Sequence, residues 1–190
     1  MGAVDRRSLV RAALRAGAIL GAAKIVVLVA AHLAFGVPAL TSAATGVLLW
    51  FVTLGILVWS AFRLRRETGS FQPYARALFH LALTWAFGQL LYTGFSVLLF
   101  HVIEPSLLDA TVEPMREIAR RANERAGTPP AEIDALVQSI TKETSPFSVA
   151  GQLRGYRDGL LPGIVLSAII AIPFRARPAE PPPAPQTAGD

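Results

Sequence analysis

The sequence predicts an all-α membrane protein: a four-helix transmembrane bundle with an extracytoplasmic amphipathic helical hairpin between spans three and four. Three observations carry this. Only 16% of the 190 residues are charged and 53% are hydrophobic, whereas soluble domains carry about 25% charged residues. Three apolar runs exceed the ~20 helical residues needed to cross about 30 Å of hydrocarbon, and a fourth comes close. Lys and Arg gather in alternate connections between those runs, which sets an orientation.

The first span covers residues 16–37, "AGAILGAAKIVVLVAAHLAFGV", between Arg15 and Pro38, and contains a single charge, Lys24. Ahead of it stand Arg6, Arg7, Arg11 and Arg15 against Asp5. The second span, residues 40–62, has no charged residue and is closed by "RLRR". The link onward offers Arg63, Arg65, Arg66 and Arg76 against Glu67. The third span, residues 77–103, is again free of Asp, Glu, Lys and Arg. The fourth, residues 159–174, lies between Asp158 and Arg175. At ~1.5 Å per residue it reaches only about 24 Å. Local bilayer thinning or snorkelling by Arg157 and Arg175 absorbs that mismatch; the competing reading is a re-entrant or interfacial segment.

The link between the first two spans is uncharged, and the stretch from 104 to 158 holds seven basic and nine acidic residues. Basic connections thus alternate with neutral or acidic ones, which places both termini in the cytoplasm and the 104–158 stretch outside it. The twin arginine of "DRRSLVRAAL", with "VAA" at 29–31, also invites reading the first span as a removable export signal. The chain beyond it holds more membrane spans and no soluble domain, so the arginines read as inside anchors.

Between spans three and four, Pro105 breaks the chain. Leu108, Val112, Met115, Ala119, Ala122 and Ala126 then recur at steps of four and three, one apolar stripe of a helix. Glu117–Arg121 and Arg120–Glu124 are i,i+4 pairs worth ~0.2–0.5 kcal/mol each, and Gly127 stops the helix. Thr128 as cap, Pro129 at the first position and an acidic first turn open a second helix. Ile133, Leu136, Val137 and Ile140 form its apolar set, with Lys142 near its end and Pro146 closing the stretch. The two helices make a hairpin over residues 105–145 that caps the outer mouth of the bundle. Residues 1–174 therefore form one membrane domain. Residues 175–190, ending "ARPAEPPPAPQTAGD", have little to bury and are expected to be a disordered, Pro-rich cytoplasmic tail.

Polar groups inside hydrocarbon need an account. Lys24 lies about two helical turns into the first span and is expected to snorkel back to the cytoplasmic face; the alternative is a buried cation contacting His32 or Gln89. His32 falls toward the outer end, where interfacial water satisfies it. Gln89, Tyr92, Thr93 and Ser96 form a polar stripe on the third span, expected to face the bundle interior. Interhelical hydrogen bonds there contribute about 0.6 kcal/mol each; the functional alternative is a polar path. His101 and Glu104 have the i,i+3 spacing of a bundle metal site, but a metal needs further ligands and the chain has three histidines in all. Gly17 and Gly21, and then Gly163, Ser167 and Ala171, have the spacing that lets helices approach closely.

Cysteine is absent, so disulfides, thiolate metal sites and Cys nucleophiles are excluded. No H-E-x-x-H, G-x-S-x-G or Walker-type glycine motif is present. No cofactor or metal is implied. Arginines placed beside apolar runs orient a membrane protein, and the net charge of +5 implies no nucleic-acid partner.

The layout resembles the bacterial family called domain of unknown function 4199, small four-span membrane proteins. The resemblance covers most of the chain and is best from residue 69 to 174. It rests on "GSFQPYARALF" leading into span three, the break "EPSLLD", a charged helix, "GTPPAEIDALV" opening the next, Ser145–Pro146, and "GIVLSAII" in the last span. Arginine-rich loops, the "TPP" opening and the long Pro-rich tail depart from the family pattern. Membership implies the four-span topology in a bacterial inner membrane and no activity, substrate or catalytic residue.

The resulting expectation is a non-enzymatic, multi-pass protein of the lipid bilayer. It packs with itself, as a homo-oligomer, or with a membrane-protein partner through small-residue faces, with the hairpin as its interaction surface. The alternative is a small transporter or channel subunit using Lys24, the Gln89–Ser96 stripe and His32.

Overall fold

A computed structural model describes residues 6–68 and 73–174. The expected tail at 175–190, and "GSFQ" (69–72) at the start of the approach to span three, lie outside the described residues. All regular structure in those residues is helical: α1 (Arg6–Phe35), α2 (Val37–Thr41), α3 (Ala43–Thr68), α4 (Tyr74–Leu98), α5 (Ser106–Arg125), α6 (Pro130–Ser139) and α7 (Val149–Ala171). A π-helical turn, Leu99–Ile103, extends α4, and a 3-10 turn, Ile172–Phe174, extends α7.

Four of these elements are long and apolar enough to cross a membrane: α1, α3, α4 with its π turn, and α7 with its 3-10 turn. Their outward side chains, among them Val26, Phe51, Leu161 and Ile169, remain exposed. Helices that are apolar all round and still face outward are suited to lipid, not to water.

The fourth span differs from the sequence expectation. Ser148 accepts a hydrogen bond from the Gly151 amide and caps a helix that begins at Val149, ten residues before the expected start. The resulting 26-residue element is about 39 Å long at ~1.5 Å per residue, an apolar run preceded by turns that carry Arg154, Arg157 and Asp158. Arg154, Arg157 and Asp158 had disguised its first turns as a loop.

α1 and α4 are the most closely associated pair in the bundle, and α7 packs on the other side of α4. Glycine makes both approaches possible. A Cβ at Gly17 would fall 2.9 Å from the Thr84 carbonyl oxygen, and one at Gly21 would fall 2.8 Å from Leu91 Cβ. On α4, a Cβ at Gly88 would fall 2.7 Å from Leu20. Across the second interface the Trp85 indole occupies the space where a Gly163 side chain would stand. Gly163, Ser167 and Ala171 are all buried. Both small-residue patterns are thus used between helices of one chain.

The bundle holds two apolar cores. Leu57, Ala61, Ala77, Leu81, Trp85, Ala171 and Phe174 pack near the end where α3 finishes and α4 begins. Leu28, Leu40, Leu99, Phe100 and Leu107 form the second, at the end carrying the hairpin. The chain turns between α1 and α2 at Gly36, whose φ of +70° is open to glycine without strain.

The hairpin exists, with altered details. The α5 face toward the bundle is led by Leu107 and Thr111, both buried, while the expected stripe members Ala122 and Ala126 are exposed. Asn123, half-buried between them, donates its side-chain amide to the Ala119 carbonyl one turn back in α5. Gly127 ends α5 with φ +76°, and the Thr128 amide reaches back to the Asn123 carbonyl at 3.0 Å. α6 opens at Pro130 without a side-chain cap, so Thr128 does not serve as one. It stops at Ser139, leaving Lys142 beyond its end, and Leu136 is exposed.

Candidate functional site

The best-defined polar site inside the bundle lies between α1 and α4. Lys24 does not snorkel. It is 7% exposed, and its Nζ donates to Gln89 Oε1 at 2.6 Å. The ammonium also lies 4.5 Å from the Tyr92 ring centre and 5.8 Å from that of Trp85, within cation–π range. The physical reason is local. Gly21 and Gly88 bring the two backbones together, so a side chain one turn along α1 meets the amide beside Gly88. An acceptor and two aromatic faces replace much of the water the cation gives up.

Gln89 and Tyr92 are half-buried, and Thr93 and Ser96 are buried at 4% and 2% exposure. The structure therefore gathers Lys24, Gln89 and Tyr92 into one cluster, with Thr93 and Ser96 on the next turns of α4. His32 lies apart. Its Nε2 is 3.3 Å from Glu104 Oε2, and its Nδ1 is buried without a hydrogen-bond partner. This side-chain contact links α1 to the start of the hairpin segment.

His101 and Glu104 turn to different neighbours. His101 Nε2 lies 3.3 Å from the Phe147 carbonyl, while Glu104 faces His32. The π turn explains this: the Glu104 amide bonds to the Leu99 carbonyl at 2.9 Å, which rotates the two residues off the shared face of an α-helix. Among the described residues, no three His, Cys, Asp or Glu side chains are grouped to hold a metal.

The sequence reading missed a second buried polar contact. Ser60 Oγ and His80 Nε2 share a hydrogen bond of 2.7 Å between α3 and α4, with both residues almost fully buried. One turn on, the Thr84 hydroxyl reaches the His80 carbonyl at 2.9 Å and lies 3.3 Å from that of Ala13 on α1. His80, Thr84 and Gly88 recur every four residues along α4, a signal masked by the uniformly apolar surroundings.

In the hairpin, Glu117 and Arg121 pair at 2.6 Å as expected. Arg120 departs from expectation, facing Asp134 on α6 at 3.5 Å instead of Glu124. Arg116 Nε donates to the Ile140 carbonyl at 3.1 Å, and Lys142 pairs with Asp109. These contacts tie α6 and its exit to α5. Beside them the Thr141 hydroxyl holds the exposed Glu143 carboxyl below the usual carboxylate range.

The family model described as "Protein of unknown function (DUF4199)" matches residues 15–176. No curated protein and no solved structure matches the chain. The match runs from the start of the first apolar run to the end of the last, and the chain belongs to this family.

Proposed function

We propose that this family member is a multi-pass membrane protein without catalytic activity of its own, which acts by presenting the α5–α6 hairpin to a protein partner. Its four long apolar helices are compatible with a membrane protein. The observation that carries the role is the hairpin's attachment. α5 rests on α2 and on the π turn, whereas among the described residues α6 meets α5 and no other helix. Ile118 and Leu136 are 46% and 43% exposed there, beside the charged Glu117, Arg121 and Asp134. Apolar points within a polar rim are the usual anatomy of a protein interface. Gly17, Gly21, Gly163 and Ser167 are occupied inside the bundle, so the two small-residue faces they mark are not open to a partner.

In this reading the arginine-bearing end lies in the cytoplasm and the hairpin outside it, across a bacterial inner membrane, as the bias of Lys and Arg dictates. A photoreactive residue at Arg120 or Arg121, activated in native membranes, then traps a protein partner or a second copy. Adducts with lipid alone reject the reading.

A second reading is favoured by one contact, the buried Lys24–Gln89 bond. Intramembrane cations are costly and often mark solute pathways, so the chain would be a small transporter or channel subunit. Gln89→Ala then changes a measured flux at unchanged protein level; unaltered flux rejects it.

A further inference from the structure

At the arginine-bearing end, α1, α3 and α4 enclose a cavity of about 550 Å3, within the roughly 300–1,000 Å3 of small-ligand sites. Arg7, Arg11 and Arg15 line it from α1, and Arg63 and Glu67 face them from α3. The three α1 arginines are spaced four apart, so one helix face carries all of them. Its polar floor is the bonded pair Ser60 and His80, 1% and 2% exposed. The second ring nitrogen of His80 is buried without a hydrogen-bond partner among the described residues.

Orientation in a membrane requires only that basic residues be present at one end. It does not require them to converge on a cavity between helices. Like charges four apart on a helix oppose its formation, and a guanidinium from α3 adds to the repulsion. Glu67 offsets one charge, with Arg63 Nε bonded to its Oε1 at 2.8 Å. The remaining excess is positive. An anion placed among these groups converts repulsion into attraction, and guanidinium groups bind phosphate oxygens through paired, charge-assisted hydrogen bonds. Ala16, where the first apolar run begins, also lines the cavity, so the site borders the apolar part of α1.

We propose that this cavity is a binding site for a phosphate group, held by Arg11, Arg15 and Arg63 above the Ser60–His80 floor. The phosphate comes either from an anionic lipid headgroup or from solution. Basic pockets between membrane helices take headgroups in this way. The proposal is independent of the hairpin's role.

The test uses the full chain and its lack of cysteine. Ala12→Cys puts a single thiol on the cavity wall, and its reaction with a neutral maleimide reports occupancy. One arm titrates inorganic phosphate in a neutral detergent against sodium chloride of equal ionic strength. The other compares nanodiscs of phosphatidylcholine with and without phosphatidylglycerol. At ten times Kd the thiol reacts about tenfold more slowly, following 1 + [L]/Kd. Protection by phosphate identifies a soluble ligand, and protection by phosphatidylglycerol alone identifies a headgroup. Arg11→Gln with Arg15→Gln weakens the protection about tenfold or more, as loss of charge-assisted bonds requires, whereas Arg120→Gln with Arg121→Gln leaves it unchanged. The Ala12→Cys result stands without the arginine variants, should those fold poorly. No protection in either arm, equal protection by chloride, or protection that survives loss of both arginines overturns the proposal.

Discussion

Lys24 on α1 and Gln89 on α4 are joined by a 2.6 Å hydrogen bond inside the most closely packed helix pair of the bundle. The bond makes a polar cross-brace where the surroundings are apolar. Gln89→Leu leaves the ammonium without its acceptor and is expected to cost about 1.5–3 kcal/mol, the range for hydrogen bonds to charged groups. Lys24→Met removes the cation and costs less. Combined, the two substitutions restore much of the loss, because an apolar pair of similar shape replaces a buried polar one. Thermal unfolding of the four proteins in one detergent measures the coupling. Strictly additive effects would show that the contact stabilises nothing.

Gly163→Ala tests how α4 and α7 fit. The new methyl group meets the Trp85 indole, and overpacking of this kind costs about 1–3 kcal/mol. Gly155 is the control on the same helix, since a Cβ there meets nothing within 4 Å. Gly155→Ala is expected to be neutral or slightly stabilising. A lower unfolding temperature and altered tryptophan emission for Gly163→Ala alone check this; equal behaviour of the two variants would contradict the packing.

Much of this architecture was legible because lipid-facing helices must be apolar over a fixed length, and residues 16–37, 40–62 and 77–103 obey that rule. The features that escaped depended on partners distant in sequence. Lys24 was expected to reach back to its own end of the helix; Gln89, 65 positions away, was the alternative contact, and nothing local in the sequence chose between the two. Arg120 looked ready for Glu124 until α6 brought Asp134 alongside. The early start of α7 was hidden by Arg154, Arg157 and Asp158, charges that belong to a helix extending past the apolar core. The arginine cavity was half visible. Arg7, Arg11 and Arg15 share a helical face in the sequence itself, whereas Arg63 and His80 join them only through the fold.

The end of α5 rests on one backbone conformation. Gly127 has φ +76° with open space where a side chain would stand, so a substitution there acts through the backbone alone. Gly127→Ala is expected to cost about 1–2 kcal/mol, the penalty for an L-residue in the left-handed region, and Gly127→Asn less. Because α6 packs on α5 alone among the described helices, the loss is expected to be local. Hydrogen exchange accelerates in Pro130–Ser139 while amides of α1 and α4 keep their protection. Uniform acceleration throughout would mean that the hairpin and the bundle unfold together.

The two ends of the bundle differ in basic charge, and that difference is expected to set which faces the cytoplasm. Arg7, Arg11, Arg15 and Arg63 meet at one end beside Glu67, while the cleft between the hairpin and its exit at the other mixes Asp109, Glu113 and Glu143 with Arg116 and Lys142. Translocating the first set across a membrane is disfavoured, so the hairpin end is expected to be extracytoplasmic. The cysteine-free background allows a direct check with exposed alanines. Ala126→Cys at the hairpin tip reacts with a membrane-impermeant maleimide on intact cells; Ala75→Cys, at the start of α4, reacts only after permeabilisation. The reverse pattern inverts the topology. Neutralising Arg63, Arg65 and Arg66 together removes much of the bias and is expected to let Ala75→Cys react in a fraction of molecules. A topology indifferent to those three charges would instead be fixed by the α1 arginines alone.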